Sequence, residues 1–244
     1  MFIKQTMKEK TVSESISFRR SVRVYDKNKD IDEKIVKQCI KLSTLAPNSS
    51  NLQLWEFYHI ISKKICAEIS KSCFNQSSAK TSKQFVIPVV RHDLWRNRLK
   101  SNIDFIKKNK NDSENEIISA LKYYQEIIPK LYKGFSPIRG YIHSIMMKYR
   151  GLFKPTYREV KSSDLRIVAH KSLALASQNF MISMASFGYD TCPMEGFDSK
   201  KIKEILNLPK KSEINMVISC GIRTQEGIYG KRFRVPLESV YHKL

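Results

Sequence analysis

Residues 164–187 read DLRIVAHKSLALASQNFMISMASF. From Leu173 to Phe187 nearly every side chain is apolar or small, whichever helical face it occupies. A helix apolar all round has to be covered on most faces, so this segment predicts a buried central helix. Gly188 stands where a left-handed C-terminal cap belongs. The neighbouring segments have to supply the cover.

Asp30 is read as the opening of a helix running to Leu45, with Glu33 completing a capping box and Pro47 stopping it. Its apolar face is Ile31, Ile35, Cys39, Ile40 and Leu42. Residues 55–61 (WEFYHII) and 84–90 (QFVIPVV) are rich in β-branched and aromatic residues and predict strands. Pro88 argues for an edge or a bulge in the second. Residues 114–128 and 141–150 predict helices, the latter with an apolar stripe of Ile142, Ile145, Met146 and Tyr149. A helix over 198–207, capped by Asp198, precedes a third strand over 214–222 (INMVISCGI). The sum is α+β, a modest sheet with helices around one buried helix. No repeat or linker divides the 244 residues, so a single domain over 1–244 is expected.

The formal net charge is +21. Such an excess suits nucleic acid, an anionic membrane surface or phosphorylated small molecules, but lysine scattered along the chain more often marks a solvated surface. Five cysteines form no CxxC pair and no zinc spacing, which points to reduced thiols in a cytoplasmic protein. The start MFIKQTMKEK lacks the apolar stretch of a signal peptide, and the longest apolar run, FVIPVV, is far too short to span a bilayer. None of the eight glycines forms a GxGxxG or P-loop pattern. HExxH and GxSxG are also missing, and the histidines have no metal-ligand spacing, so no metal site is expected.

Three polar clusters carry chemistry. In FRRSVRVYD (18–26), Arg19, Arg20, Ser21 and Arg23 offer guanidinium forks and a hydroxyl suited to a phosphate, though a solvated or nucleic-acid-binding basic run has the same composition. In LAPNSSNLQLWEF (45–57), the polar side chains from Asn48 to Gln53 supply donors and acceptors for a heteroaromatic edge or polyol, or else make an ordinary turn. Trp55 reads as core. In YGKRFRVPLESV (229–240), Arg232 and Arg234 alternate and so share one face of an extended segment. A fourth stretch, CPMEGFDSKK (192–201), sets a glutamate and a glycine side by side before a helix cap.

Taken in order, RRSVR, APNSSNLQLWEF, PMEGFD, a strand and RFRVP resemble the FMN-dependent nitroreductase and flavin reductase family over residues 15–95 and 160–240. The resemblance implies a central, mainly antiparallel sheet surrounded by helices, in an intertwined homodimer with FMN sites at the subunit interface. It places Arg19, Ser21, Arg232 and Arg234 on the FMN phosphate, with Arg20 contributing backbone, and Arg23 at the pyrimidine edge. Pro47, Asn48, Ser49 and Asn51 would come from the other subunit, and Asn75 would bond the flavin ring. Pro193, Met194, Glu195 and Gly196 would lie against the flavin. There a backbone N–H donates to N5, Gly196 permits close approach and Glu195 helps orient the nicotinamide. Arg23, Glu195 and Gly196 are thus the expected catalytic positions.

The implied reaction is ping-pong: NADH or NADPH delivers hydride through N5, leaves, and an oxidised nitroaromatic, quinone or flavin takes its place. Other flavin reactions on the same fold, such as reductive dehalogenation or flavin breakdown, remain open, as does a non-catalytic basic protein binding nucleic acid or membrane surface. Two positions depart from the family pattern. Ser78 stands where relatives often carry a ring-facing lysine, for which Lys80 is the available substitute, and Ser172 replaces a glutamine of the long helix. A basic helical insertion is also expected at about 100–160. Its part 132–161 carries seven Lys/Arg against one acidic residue, Glu159, and reads as an extra helix over the site, a contact to an anionic surface, or a specificity lid.

Overall fold

The computed structural model describes residues 9–108, 113–132 and 137–244. In chain order the main elements are α1 (Val12–Phe18), α2 (Glu33–Ser43), β1 (Trp55–Ile60), α3 (Lys63–Ser72), α4 (Ser77–Thr81) and β2 (Gln84–Val90). The insertion follows as α5 (Trp95–Lys108), α6 (Glu114–Lys122), a π-helical turn (Tyr123–Ile127), α7 (Ile128–Tyr132) and α8 (Pro137–Arg150). Then come α9 (Ser162–Ser186), β3 (Asp190–Met194), α10 (Ser199–Ile205), β4 (Glu213–Ile214) and β5 (Val217–Gly221). The strands form one antiparallel sheet in the order β1-β2-β5-β3, with β4 also paired to β2. The expected α+β architecture is the one observed.

Two prolines lie inside strands, and each finds a place where its missing N–H does no harm. Pro88 is not at an edge, because β2 is interior, but it stands at a bulge, the other place the sequence reading allowed: between the Val86–Ile218 and Val89–Ile214 pairs β2 has two residues and the facing segment three. It turns away from β1, its carbonyl accepting from Asn215 N–H at 3.0 Å, at the point where the second partner of β2 changes from β5 to β4. That same change breaks the expected strand 214–222 into β4 and β5. Pro193 lies in β3, a strand the sequence analysis did not anticipate. The outward-facing carbonyl of Thr191 takes the Val22 N–H, so two residues on Pro193 also faces the outer edge, where a proline is tolerated.

α9 begins two residues earlier than expected and closes on Gly188 at φ +77°, the left-handed cap foreseen. Leu173, Ala176, Phe180 and Met184 are fully buried, each large apolar side chain contributing about 1.5–3 kcal/mol. Phe180 and Met184 pack with α2 and β5, and Leu173 and Ala176 with Trp55 and Val90. Ala174, Leu175 and Gln178 remain exposed, so one stripe of the helix is uncovered in the single chain.

Asp32, not Asp30, caps α2, its carboxylate accepting from Lys34 N–H at 2.7 Å; Asp30 is drawn instead to Lys83 at 2.8 Å. Leu42, assigned to the apolar face, is exposed. The insertion packs through Trp95, Ile128 and Tyr132 against Leu52, Leu54 and Leu165. The apolar stripe of α8 does not follow it inward: Ile142, Ile145, Met146 and Tyr149 are all more than half exposed. Among the described residues no helix is long and apolar enough to cross a membrane.

Candidate active site

Thr11 and Glu14 form a reciprocal capping box that starts α1. The helix ends at Phe18, and the next residue is Arg19. The chain then runs beside β3, with Ser21 bridging Thr191, and is pinned where the Arg23 N–H donates to Gly227 O at 2.7 Å. Tyr25 fixes the far end of the segment, its buried hydroxyl donating to Ser219 O at 3.0 Å.

A buried carboxylate holds the near end. Asp190, at the start of β3, accepts from Arg223 Nε at 2.8 Å and from Arg223 N–H at 2.8 Å. Arg223 Nη2 donates onward to Phe18 O at 3.1 Å, and its guanidinium lies 4.2 Å from the Phe18 ring centroid. One ion pair thereby ties the end of α1 to the sheet.

The C-terminal segment closes over this point. Arg232 Nη2 donates to Ser17 O at 2.9 Å and to Arg19 O at 2.7 Å, satisfying carbonyls left open at the helix end. Arg20 Nη2 donates to Gly230 O at 3.0 Å. Burial, and then repulsion from Arg232 and Arg234, lowers the Arg19 guanidinium below its ordinary value. Among the described residues no carboxylate pairs with Arg19, Arg20, Arg23, Arg232 or Arg234. Four arginines therefore converge with no counter-ion, while Arg23 sits deeper, its Nη1 3.7 Å from the buried sulfur of Cys192.

β3 leads from Cys192 into the exposed Glu195–Gly196 turn. Gln76 Nε2 donates to Gly196 O at 2.8 Å, a contact sequence reading had missed. A Cβ at Gly196 would lie 3.3 Å from that same nitrogen, so any larger residue would push on the Gln76 side chain. The Glu195 and Gly196 N–H groups have no backbone acceptor among the described residues. Asp198 caps α10 as expected, accepting from Lys201 N–H at 3.1 Å.

The remaining expected residues lie around α4 and in the loop after Pro47. Ser78 is buried beneath Met194, its hydroxyl 3.2 Å from the sulfur. Asn75 and Lys80 line a different side of α4, toward a separate cavity. The loop after Pro47 has left-handed backbone at Ser50, Asn51 and Gln53 (φ 55°, 46° and 47°), a set of conformations typical of functional loops. Asn48 Oδ1 accepts from Gln53 N–H at 2.9 Å, and Ser49 N–H donates to Ser172 Oγ at 3.2 Å. The insertion braces this loop: Asn102 Nδ2 donates to Asn51 O at 3.0 Å and Tyr124 Oη to Ser50 O at 3.1 Å. Ser172 lies fourteen residues along α9 from Ser186, whose carbonyl receives Lys10 N–H just ahead of α1. That length of helix is about 21 Å, which separates the loop from the start of α1.

The sequence profile of the nitroreductase family matches residues 16–222. Protein DrgA of Synechocystis is 24% identical, over 91% of this chain and 89% of its own. A Staphylococcus haemolyticus protein assigned as an NAD(P)H nitroreductase is 26% identical, over 81% and 79%. Among solved structures, an NAD(P)H:FMN oxidoreductase of Staphylococcus epidermidis superposes with a TM-score of 0.76 at 20% identity, covering 100% of both chains. A nitroreductase of Exiguobacterium sibiricum, solved in complex with FMN, gives 0.67 at 22% identity, covering 96% and 98%. The chain belongs to the nitroreductase family, the FMN-dependent NAD(P)H oxidoreductases that the order of its motifs resembles.

Proposed function

We propose that the protein oxidises NADH or NADPH and reduces a small nitroaromatic, quinone or free flavin, the two half-reactions alternating at one site. The observation that carries this reading is the group of arginines without a counter-ion beside a glycine turn with free amides. Residues and cofactor fit: converging guanidiniums suit a phosphate monoester, and exposed N–H groups at a side-chain-free position suit the edge of a flat ring. FMN bound there supplies the hydride acceptor at its N5.

The chain's own groups then have separate tasks. Arg19 and Arg234 bind the phosphate with Ser21, while Arg232 and Arg20 chiefly hold the segment in place through backbone carbonyls. Arg23 places a cation against the part of the ring that becomes negative on reduction. The Glu195–Gly196 turn orients the ring, with Pro193 and Met194 behind it. The site is completed by Pro47, Asn48, Ser49 and Asn51 of a second copy in a homodimer. The uncovered stripe of α9 at Ala174, Leu175 and Gln178 supports that dimer. We place the protein in the cytoplasm, where five buried free thiols are kept reduced. One FMN-binding domain with a basic helical insertion is the corresponding organisation.

Steady-state kinetics with menadione and p-nitrobenzoate as acceptors test the reading. Parallel double-reciprocal lines as the acceptor is varied at several NADPH concentrations are expected. Converging lines would refute the alternation, and no turnover with nitro, quinone or flavin acceptors would refute the substrate class.

A further inference from the structure

A cavity of about 690 Å³ opens between α3, α4 and the segment leading into α2. It is separate from the arginine site: Asn75, Ala79 and Lys80 line it, whereas Gln76 and Ser78 reach Gly196 and Met194. Ile31, Ile61 and Ala67 give it an apolar wall. Lys63, Lys71 and Lys80 stand around it, and among the described residues none of the three makes an ion pair. A fourth lysine, Lys83, is held by Asp30, leaving Glu33 as the only other lining carboxylate.

The wall also contains Ser70, only 7% exposed. Its hydroxyl makes no hydrogen bond to a described residue, although the neighbouring hydroxyls of Ser72 and Ser82 both do. That hydroxyl reaches solvent through the cavity, so it is available as a donor to a ligand that enters. The volume lies within the roughly 300–1,000 Å³ of cavities that enclose small organic ligands, and exceeds what a bare inorganic anion would fill.

We propose that this cavity binds a small organic anion, a carboxylate or phosphate monoester carried on a flat or aliphatic body. The ammonium groups of Lys63, Lys71 and Lys80 attract its charge, the apolar wall takes its body and Ser70 donates to it. The proposal does not depend on the flavin reading, since no residue of the arginine site takes part.

The test is isothermal titration of the FMN-loaded full chain with AMP and with benzoate, using adenosine as the neutral control. One saturable site per chain is expected for at least one of the anions, and none for adenosine. Benzoate binding alone assigns a carboxylate ligand, and AMP binding alone a phosphate monoester. The double variant Lys63→Ala/Lys71→Ala should weaken the affinity at least about tenfold, and Ala67→Phe, at an exposed position, should block the cavity with flavin content unchanged. No saturable binding of either anion up to about 10 mM would overturn the proposal, as would binding that survives both variants.

Discussion

The Gln76 side-chain amide donates to the backbone carbonyl of Gly196 at 2.8 Å, joining the start of α4 to the turn that follows β3. Gln76 thus acts on the turn as a positioning residue. One neutral hydrogen bond contributes about 1 kcal/mol, equivalent to roughly fivefold in a rate. Gln76→Ala should keep its flavin while flavin reduction by NADPH, followed by stopped-flow absorbance, slows by about that factor. Gln76→Glu lacks the donor and should behave alike. Unchanged reduction in both variants would remove the assigned role.

Arg19 and Arg234 lie close enough to repel each other with no carboxylate between them. Charge-assisted hydrogen bonds to a phosphate contribute about 1.5–3 kcal/mol each, so Arg19→Ala or Arg234→Ala should weaken FMN binding about 10- to 100-fold. Flavin retained per chain after dialysis, with circular dichroism as the control for folding, gives the answer. Full retention in both single variants and in the double would sink the phosphate assignment.

The sequence made the outline of the fold legible through composition. Leu173–Phe187 announced a buried helix because no face was polar, and two of the expected strands, 55–61 and 84–90, lie where β-branched residues placed them. It failed where tertiary partners decide. Asp30 and Asp32 are equally good caps by type, and only Lys83, more than fifty residues away, draws Asp30 off. The strand β3 went unread because Pro193 speaks against a strand, and its place on the outer edge of the sheet has no local signature. At the site, arginines were legible as charge, but Gln76, Asn102 and the Asp190–Arg223 pair act through long-range contacts. No spacing encodes those.

Asp190 is 3% exposed and binds Arg223 through both the backbone N–H and the guanidinium. Breaking such a pair by removing one partner typically costs about 3–5 kcal/mol. Asp190→Ala should therefore lose at least about 3 kcal/mol, lowering Tm by roughly 6–12 °C in a chain of this size. A loss below about 1 kcal/mol in urea unfolding would show that the pair does not anchor the end of α1.

All five cysteines are buried and unpaired. Burial pushes the Cys66 thiol up to about 11 and those of Cys39 and Cys73 to about 12. Burial also raises Cys192, despite the opposing Arg23 charge, and carries Cys220 higher still. Because the thiolate is the reactive form, the native protein at pH 8 should show no rapidly reacting thiol toward Ellman's reagent, and five in guanidinium chloride. A fast native thiol would mark a site more open than the structure allows.

The most direct test is the visible absorption spectrum of the purified protein, recorded before and after anaerobic addition of NADPH or NADH. A yellow protein with an oxidised-flavin spectrum that bleaches on addition of either nucleotide is the expected result. A colourless protein that cannot be reconstituted with FMN would contradict the assignment of the arginines and the Glu195–Gly196 turn to a flavin site.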